Sequence, residues 1–146
     1  MIDRINEDLK KAMKAGEKTR VTTLRVLMSD IQKAAKDKRE DLTEQEIIAV
    51  ISRAVKMRKE AITEFEKGSR DDLVQKETEE LTFLEPYLPA QLSEQEIEKA
   101  VTDLINELGA AGMKDFGNVM KEMMSRYQGQ VDGKIVNGLI KAKLSG

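Results

Sequence analysis

Lysines, a serine and an asparagine near the end of the chain are the side chains best placed to do chemistry, and that chemistry is phosphate binding rather than catalysis. Lys121, Ser125, Lys134, Asn137 and Lys141 fall opposite the apolar stripes of two short helices, with Lys114, Arg126 and Lys143 beside them. Cations and neutral donors on one surface can hold the backbone and shape of a folded RNA without reading its bases. Base stacking would need aromatic platforms, and the only aromatics at hand, Phe116 and Tyr127, belong to the apolar stripe. On composition alone a solvated face is the simpler account of these cations.

Other constellations weaken on inspection. Asp71 and Asp72, with Glu77, Glu79 and Glu80, are carboxylates of the kind that run general acid-base chemistry or hold Mg²⁺. Asp71 and Asp72 occupy the first turn of a helix, where they complement its dipole, and Glu79 and Glu80 are expected to face away from Leu81 and Leu84. Serines and threonines have no His, Cys or G-x-S-x-G context to activate them, and Gly109 and Gly112 lack the Gly-Lys-Ser/Thr of a phosphate loop. The turn from Gln128 to Lys134 could aim free N–H groups at an anion. Asp132, the expected N-cap, takes those donors and repels the anion. The methionines Met113, Met120, Met123 and Met124 suit either ordinary core or an adaptable partner groove, so a helical protein-interaction module without nucleic acid is the alternative function.

The chain has 146 residues, enough for one domain or two small subdomains with a real core. Only 3% of the residues are aromatic and Trp is absent, so Leu, Ile, Val, Met and Ala must build that core, which points to an all-α fold. Without Cys or His there are no thiol nucleophiles, imidazole bases, usual zinc sets or disulfides, and no catalytic residue, cofactor or metal is expected. The opening residues Met1, Ile2, Asp3 and Arg4 contain no apolar targeting segment, and no stretch approaches the roughly 18 apolar residues of a membrane span. A cytoplasmic protein is expected. The net charge of -2 conceals basic ends: residues 1–40 sum to +4, 41–100 to -7 and 112–146 to +3, a pattern that permits polyanion binding at either end.

These side chains need elements to hold them. A first helix carries Ile5, Leu9, Ala12 and Met13 on one face and stops at Gly16; a second, from Lys18, carries Leu24, Leu27, Met28, Ile31 and Ala35 and ends in the run Lys36 to Glu40. Thr43 and Glu46 form a capping box before a long third helix with Ile47, Ile51, Val55, Arg58, Ile62 and Phe65, and Gly68 is expected to supply its left-handed stop. A fourth helix with Leu73, Leu81 and Leu84 ends before Pro86, because a proline disfavours helical geometry at the preceding residue. Pro86 and Pro89 are the only prolines, and the subdomain boundary is set there, giving 1–90 and 91–146. Ser93 and Glu96 form a second capping box before a helix with Ile97, Ala100, Val101, Leu104, Ile105 and Leu108; Gly109 and Gly112 close it. Phe116, Met120, Met123, Met124 and Tyr127 stripe a sixth helix, and Ile135, Val136, Leu139, Ile140 and Leu144 a seventh. Four helices and then three make the two subdomains.

In order along the chain, Arg70-Asp71-Asp72-Leu73-Val74, Tyr87-Leu88-Pro89-Ala90-Gln91-Leu92-Ser93-Glu94, Asp115-Phe116-Gly117, Val119-Met120 and Asp132-Gly133-Lys134 resemble the YqeY family. The resemblance implies an all-α protein of two helical subdomains, similar to the helical and tail region of the GatB subunit of tRNA-dependent amidotransferases. Those enzymes are carbon-nitrogen ligases that use glutamine as amide donor on misacylated Glu-tRNA or Asp-tRNA, and their tail grips tRNA without performing chemistry. The resemblance thus implies a tRNA-binding or translation-linked accessory protein, with Lys114, Lys121, Arg126, Lys134, Asn137 and Lys141 as the contact and an amidotransferase or aminoacylation complex as a further partner. Family members often carry glycine at the place of Lys121 and lysine at Asn118 or Gln130, so this surface has fewer of the family's cations and a shallower salt dependence.

Overall fold

Periodic apolar residues and two capping boxes determine where helices begin and what they bury. The computed structural model describes residues 1–145, and among them the fold is all-α: α1 (Ile2–Ala15), α2 (Lys18–Lys38), α3 (Glu44–Lys67), α4 (Asp71–Leu84), α5 (Glu94–Leu108), α6 (Phe116–Arg126) and α7 (Gly133–Ser145), with short 3-10 turns at Glu85–Tyr87 and Met113–Asp115. No strand occurs among the described residues. The chain divides into two units, Met1–Leu88 and Pro89–Gly146, each with its own core.

In the first unit α1 packs on α2, α2 on α3 and α4, and α3 on α4. Ile5, Leu24, Leu27, Ile31, Ile51, Leu84 and Tyr87 fill its centre. Burying an aliphatic side chain of this size stabilises by roughly 1.5–3 kcal/mol. Gly16 ends α1 at φ 72, a left-handed position that would strain any residue with a Cβ. Both capping boxes form completely: the Thr43 hydroxyl accepts from the Glu46 N–H at 3.2 Å while the Glu46 carboxylate accepts from the Thr43 N–H at 3.0 Å, and Ser93 and Glu96 repeat the exchange at 3.1 and 3.2 Å.

Several sequence expectations change in this unit. Gly68 keeps φ -86, and the left-handed residue after α3 is Ser69 at φ 55. Glu85 retains right-handed helical geometry before Pro86, so the helix tightens into a 3-10 turn instead of breaking at once. Met13, expected beside Ile5 and Leu9, is 51% exposed, since it lies in the last turn of α1. Glu80 does not face away. It turns toward α3 and pairs with Arg58 at 3.3 Å, both side chains being less than a fifth exposed.

In the second unit α5, α6 and α7 pack pairwise around Ile97, Val101, Leu104, Val119, Met123, Val136 and Ile140. Of the apolar stripe expected on α6, Met123 is fully buried while Phe116, Met120, Met124 and Tyr127 are only partly buried, and Val119, outside that stripe, is fully buried beside Met123. Leu108, expected on the inner face of α5, is 43% exposed at the end of that helix. The segment entering the unit is stitched to the α6–α7 turn: the Leu92 N–H donates to the Gln130 carbonyl at 2.9 Å and the Gln91 amide donates to the Gly129 carbonyl. Gly129 itself holds φ 77.

Candidate functional site

Three of the six predicted contact residues share one line. On α7, Lys134, Asn137 and Lys141 stand at i, i+3 and i+7, which places them on one face two helical turns long, about 10 Å end to end at 1.5 Å per residue. Both lysines are exposed and Asn137 is half-buried. The opposite positions Val136, Ile140 and Leu144 are buried, so the core fixes the orientation of the line.

The start of α7 is closed to anions by its own sequence. The Asp132 carboxylate accepts from the Lys134 N–H at 2.8 Å, and its carbonyl accepts the first helical N–H, from Val136, at 3.1 Å. The Lys134 donor of the helix start is thereby occupied, and a negative charge stands where a phosphate would dock.

Lys114 joins this region through the 3-10 turn Met113–Asp115, which packs against α7. The Asp115 carboxylate fixes the turn by accepting from the Ala111 N–H at 3.0 Å. Lys141 reaches over the Phe116 ring, its Nζ lying 6.0 Å from the centroid, so the aromatic serves as a prop for the ammonium. No ion pair engages Lys114, Lys134 or Lys141 among the described residues.

Lys121 and Arg126 are on α6, off that line. Lys121 lines a shallow depression with Leu108, Ala110, Asp115, Asn118 and Glu122, where two carboxylates dilute its charge. Arg126 is held by Glu107 through two bonds of 2.8 Å and by Glu122 at 3.4 Å, clamping the end of α6 to α5. The bidentate pair lowers the Glu107 carboxyl below its ordinary range and raises the guanidinium further. Lys143 pairs with Glu98 at 3.5 Å. Sequence spacing could not foresee this sorting, because Glu107 is 19 residues from Arg126 and only the packing of α5 on α6 joins them.

The acidic residues of the first unit serve structure. Arg58 donates to Glu80 and to the Ala54 carbonyl at 3.1 Å, and burial beside Glu80 raises the Glu77 carboxyl above its ordinary value. Tyr87 donates to Asp8, and its hydroxyl is pushed up first by burial and then by that carboxylate; the Arg4 guanidinium covers the ring at 4.7 Å and donates to the Pro86 carbonyl. No group of three His, Cys, Asp or Glu residues among the described residues could hold a metal, and no helix there is long and apolar enough to cross a membrane.

Sequence reading passed over one row altogether. On the outer face of α2, Lys18, Thr22, Arg25, Ser29, Gln32 and Lys36 recur at helical spacing and are all exposed. The signal lay in the polar positions opposite Leu24, Leu27 and Ile31.

Comparison with known proteins places the whole chain. A family model described as "Yqey-like protein" matches residues 2–144. A Kluyveromyces lactis protein named "Altered inheritance of mitochondria protein 41, mitochondrial" is 33% identical over 141 residues, 94% of this chain and 72% of its own length. The protein of the same name from Pyrenophora tritici-repentis is 30% identical over 97% of this chain and 79% of its own length, and that from Lachancea thermotolerans 40% identical over 71% and 57%. These names overturn the cytoplasmic expectation. It rested on the lack of an apolar leader, whereas mitochondrial targeting segments are amphipathic and Arg-rich, so that lack is silent about mitochondria.

Proposed function

Because the chain belongs to the YqeY family, we propose that it is a translation-linked accessory protein that binds folded tRNA through its second unit and performs no chemistry of its own. The observation that carries this reading is the α7 line of Lys134, Asn137 and Lys141, joined by Lys114 and left without carboxylate partners. Its ammonium groups neutralise phosphates, and the Asn137 amide supplies a neutral donor for a phosphate or sugar oxygen. Lys121 and Arg126 sit at the margin, and Arg126 contributes by holding α6 in place. An amidotransferase or aminoacylation complex is the partner this reading expects.

Binding of total tRNA across a salt series tests it. Each neutralised phosphate contributes about 0.7–0.9 to the slope of log affinity against log salt. Lys134→Glu with Lys141→Glu should weaken binding at least tenfold and flatten the slope by about 2. Absence of binding at low salt, or an unchanged double variant, would sink the reading. The half-exposed Met120 and Met124 also suit a helix-docking surface. A partner that survives complete nuclease treatment of a pull-down, together with no tRNA binding, would favour that reading instead.

A further inference from the structure

We infer that the outer face of α2 in the first unit is a second, independent docking surface, for the phosphodiester backbone of double-stranded DNA. Lys18, Thr22, Arg25, Ser29, Gln32 and Lys36 follow one another at intervals of four, three, four, three and four residues, keeping to one side of the helix, and Lys33 lies beside the row. At 1.5 Å per residue the row is about 27 Å long, with cations about 10 and 16 Å apart. Those intervals compare with the roughly 12 Å width of the major groove of B-form DNA, so neighbouring cations can meet phosphates on its two sides; the deep, narrow major groove of an RNA duplex does not offer that spacing.

Three features separate this row from an ordinary solvated face. Its cations are unpaired: among the described residues Lys18, Arg25, Lys33 and Lys36 take part in no ion pair, and Arg25 meets only the Met13 sulfur at 4.0 Å. The carboxylates of α2, Asp30 and Asp37, each follow a row residue directly and so point about 100° away from it. Glu17 and Glu40, at the two ends, are taken by Arg20 and Lys38. Finally, Ser29 and Gln32 place a hydroxyl and an amide donor between the charges, the mixture that backbone contacts employ, while the Thr22 hydroxyl donates to the Lys18 carbonyl at 3.0 Å.

An anionic membrane fits the row less well. An interfacial helix must bury its apolar face among lipids, and the apolar face of α2, with Leu24, Leu27 and Ile31, is already inside the core. Exposed apolar groups near the row amount to Met13 and Val26.

The test uses the full chain with plain 20-base-pair RNA and DNA duplexes, followed by fluorescence anisotropy at several salt concentrations. The wild type should bind the DNA duplex at low salt and the RNA duplex more weakly. Arg25→Gln with Lys36→Gln should weaken duplex binding about tenfold and flatten the salt slope by about 2, with the circular dichroism spectrum and melting unchanged since both residues are exposed. The same tenfold loss should appear when Arg25→Gln and Lys36→Gln are added to the Lys134→Glu, Lys141→Glu chain, which keeps this outcome distinct from failure of the tail reading. No DNA binding at low salt, tighter binding of the RNA duplex, DNA binding lost only in the tail variant, or binding to phosphatidylserine vesicles in place of DNA would overturn the inference.

Discussion

On α2 of the first unit the cations of the outer row take part in no ion pair among the described residues, whereas in the second unit Arg126 and Lys143 are spent on Glu107 and Glu98 while Lys114, Lys134 and Lys141 stay unengaged. Both ends of the chain are basic by count, yet the count does not tell an available cation from a committed one. An exposed ion pair contributes little to stability, typically about 0–1 kcal/mol. It nevertheless removes a charge from the field that an approaching polyanion feels. Pairing, more than net charge, distinguishes the two surfaces.

The sharpest way to break the comparison is through the two cores. Ile51 and Ile140 are both fully buried, one in each cluster. Ile51→Ala or Ile140→Ala should cost about 2–5 kcal/mol, and hydrogen exchange should show protection falling in the substituted unit first. A uniform loss over both units would mean that the cores unfold as one.

Next in size is the Arg58–Glu80 pair, which has no counterpart of equal burial among the ion pairs of the second unit. Arg58→Ala leaves Glu80, less than a fifth exposed, unpaired beside Glu77, and should destabilise by up to about 3 kcal/mol. Arg58→Met together with Glu80→Leu should recover most of that loss in chemical denaturation.

The capping boxes sharpen the comparison further, because the same motif opens a helix in each unit with different company. Thr43→Ala and Ser93→Ala should each cost about 1 kcal/mol. Only Glu46 also accepts from a lysine, Lys38 at 2.6 Å, and its carboxyl is lowered to about 2 by that bond first and the Thr43 bonds after it. Glu96 is lowered by its Ser93 bonds alone. A depressed carboxyl stabilises fully above its unfolded value, near 4.5, and loses that contribution as pH falls toward 2. In a carboxyl NMR titration Lys38→Ala should move the Glu46 midpoint upward and leave that of Glu96 where it was.

The smallest effect concerns Gly138, exposed in the middle of α7, where an added Cβ would meet nothing within 4 Å and the backbone is not left-handed. Gly138→Ala should raise the stability of the second unit by about 0.5–1 kcal/mol. If tRNA binding falls while thermal stability rises, the bare backbone beside Lys134 and Lys141 serves the ligand.

Much of this architecture was readable in the chain. The capping boxes at Thr43 and Ser93 and the stripes of Leu24, Leu27 and Ile31 or Val136, Ile140 and Leu144 rest on contacts within four residues, which a sequence encodes directly. Met13 and Leu108 were misplaced because periodicity continues through a final turn whether or not a neighbour covers it. Gly68 yielded the left-handed position to Ser69 because such a conformation is only costlier, not closed, to a serine. On the candidate surface, the α7 line was legible from spacing; the withdrawal of Arg126 by Glu107 was not.

The sequence by itself determined the helices, their apolar faces and the blocking of the α7 start by Asp132, because each depends on neighbours along the chain. Which cations stay available, which carboxylate turns inward, and that Val119 lies at the centre of the second core were decided only when helices met. Those outcomes depend on side chains brought together across long stretches of sequence, as Arg58 is to Glu80 and Arg126 to Glu107.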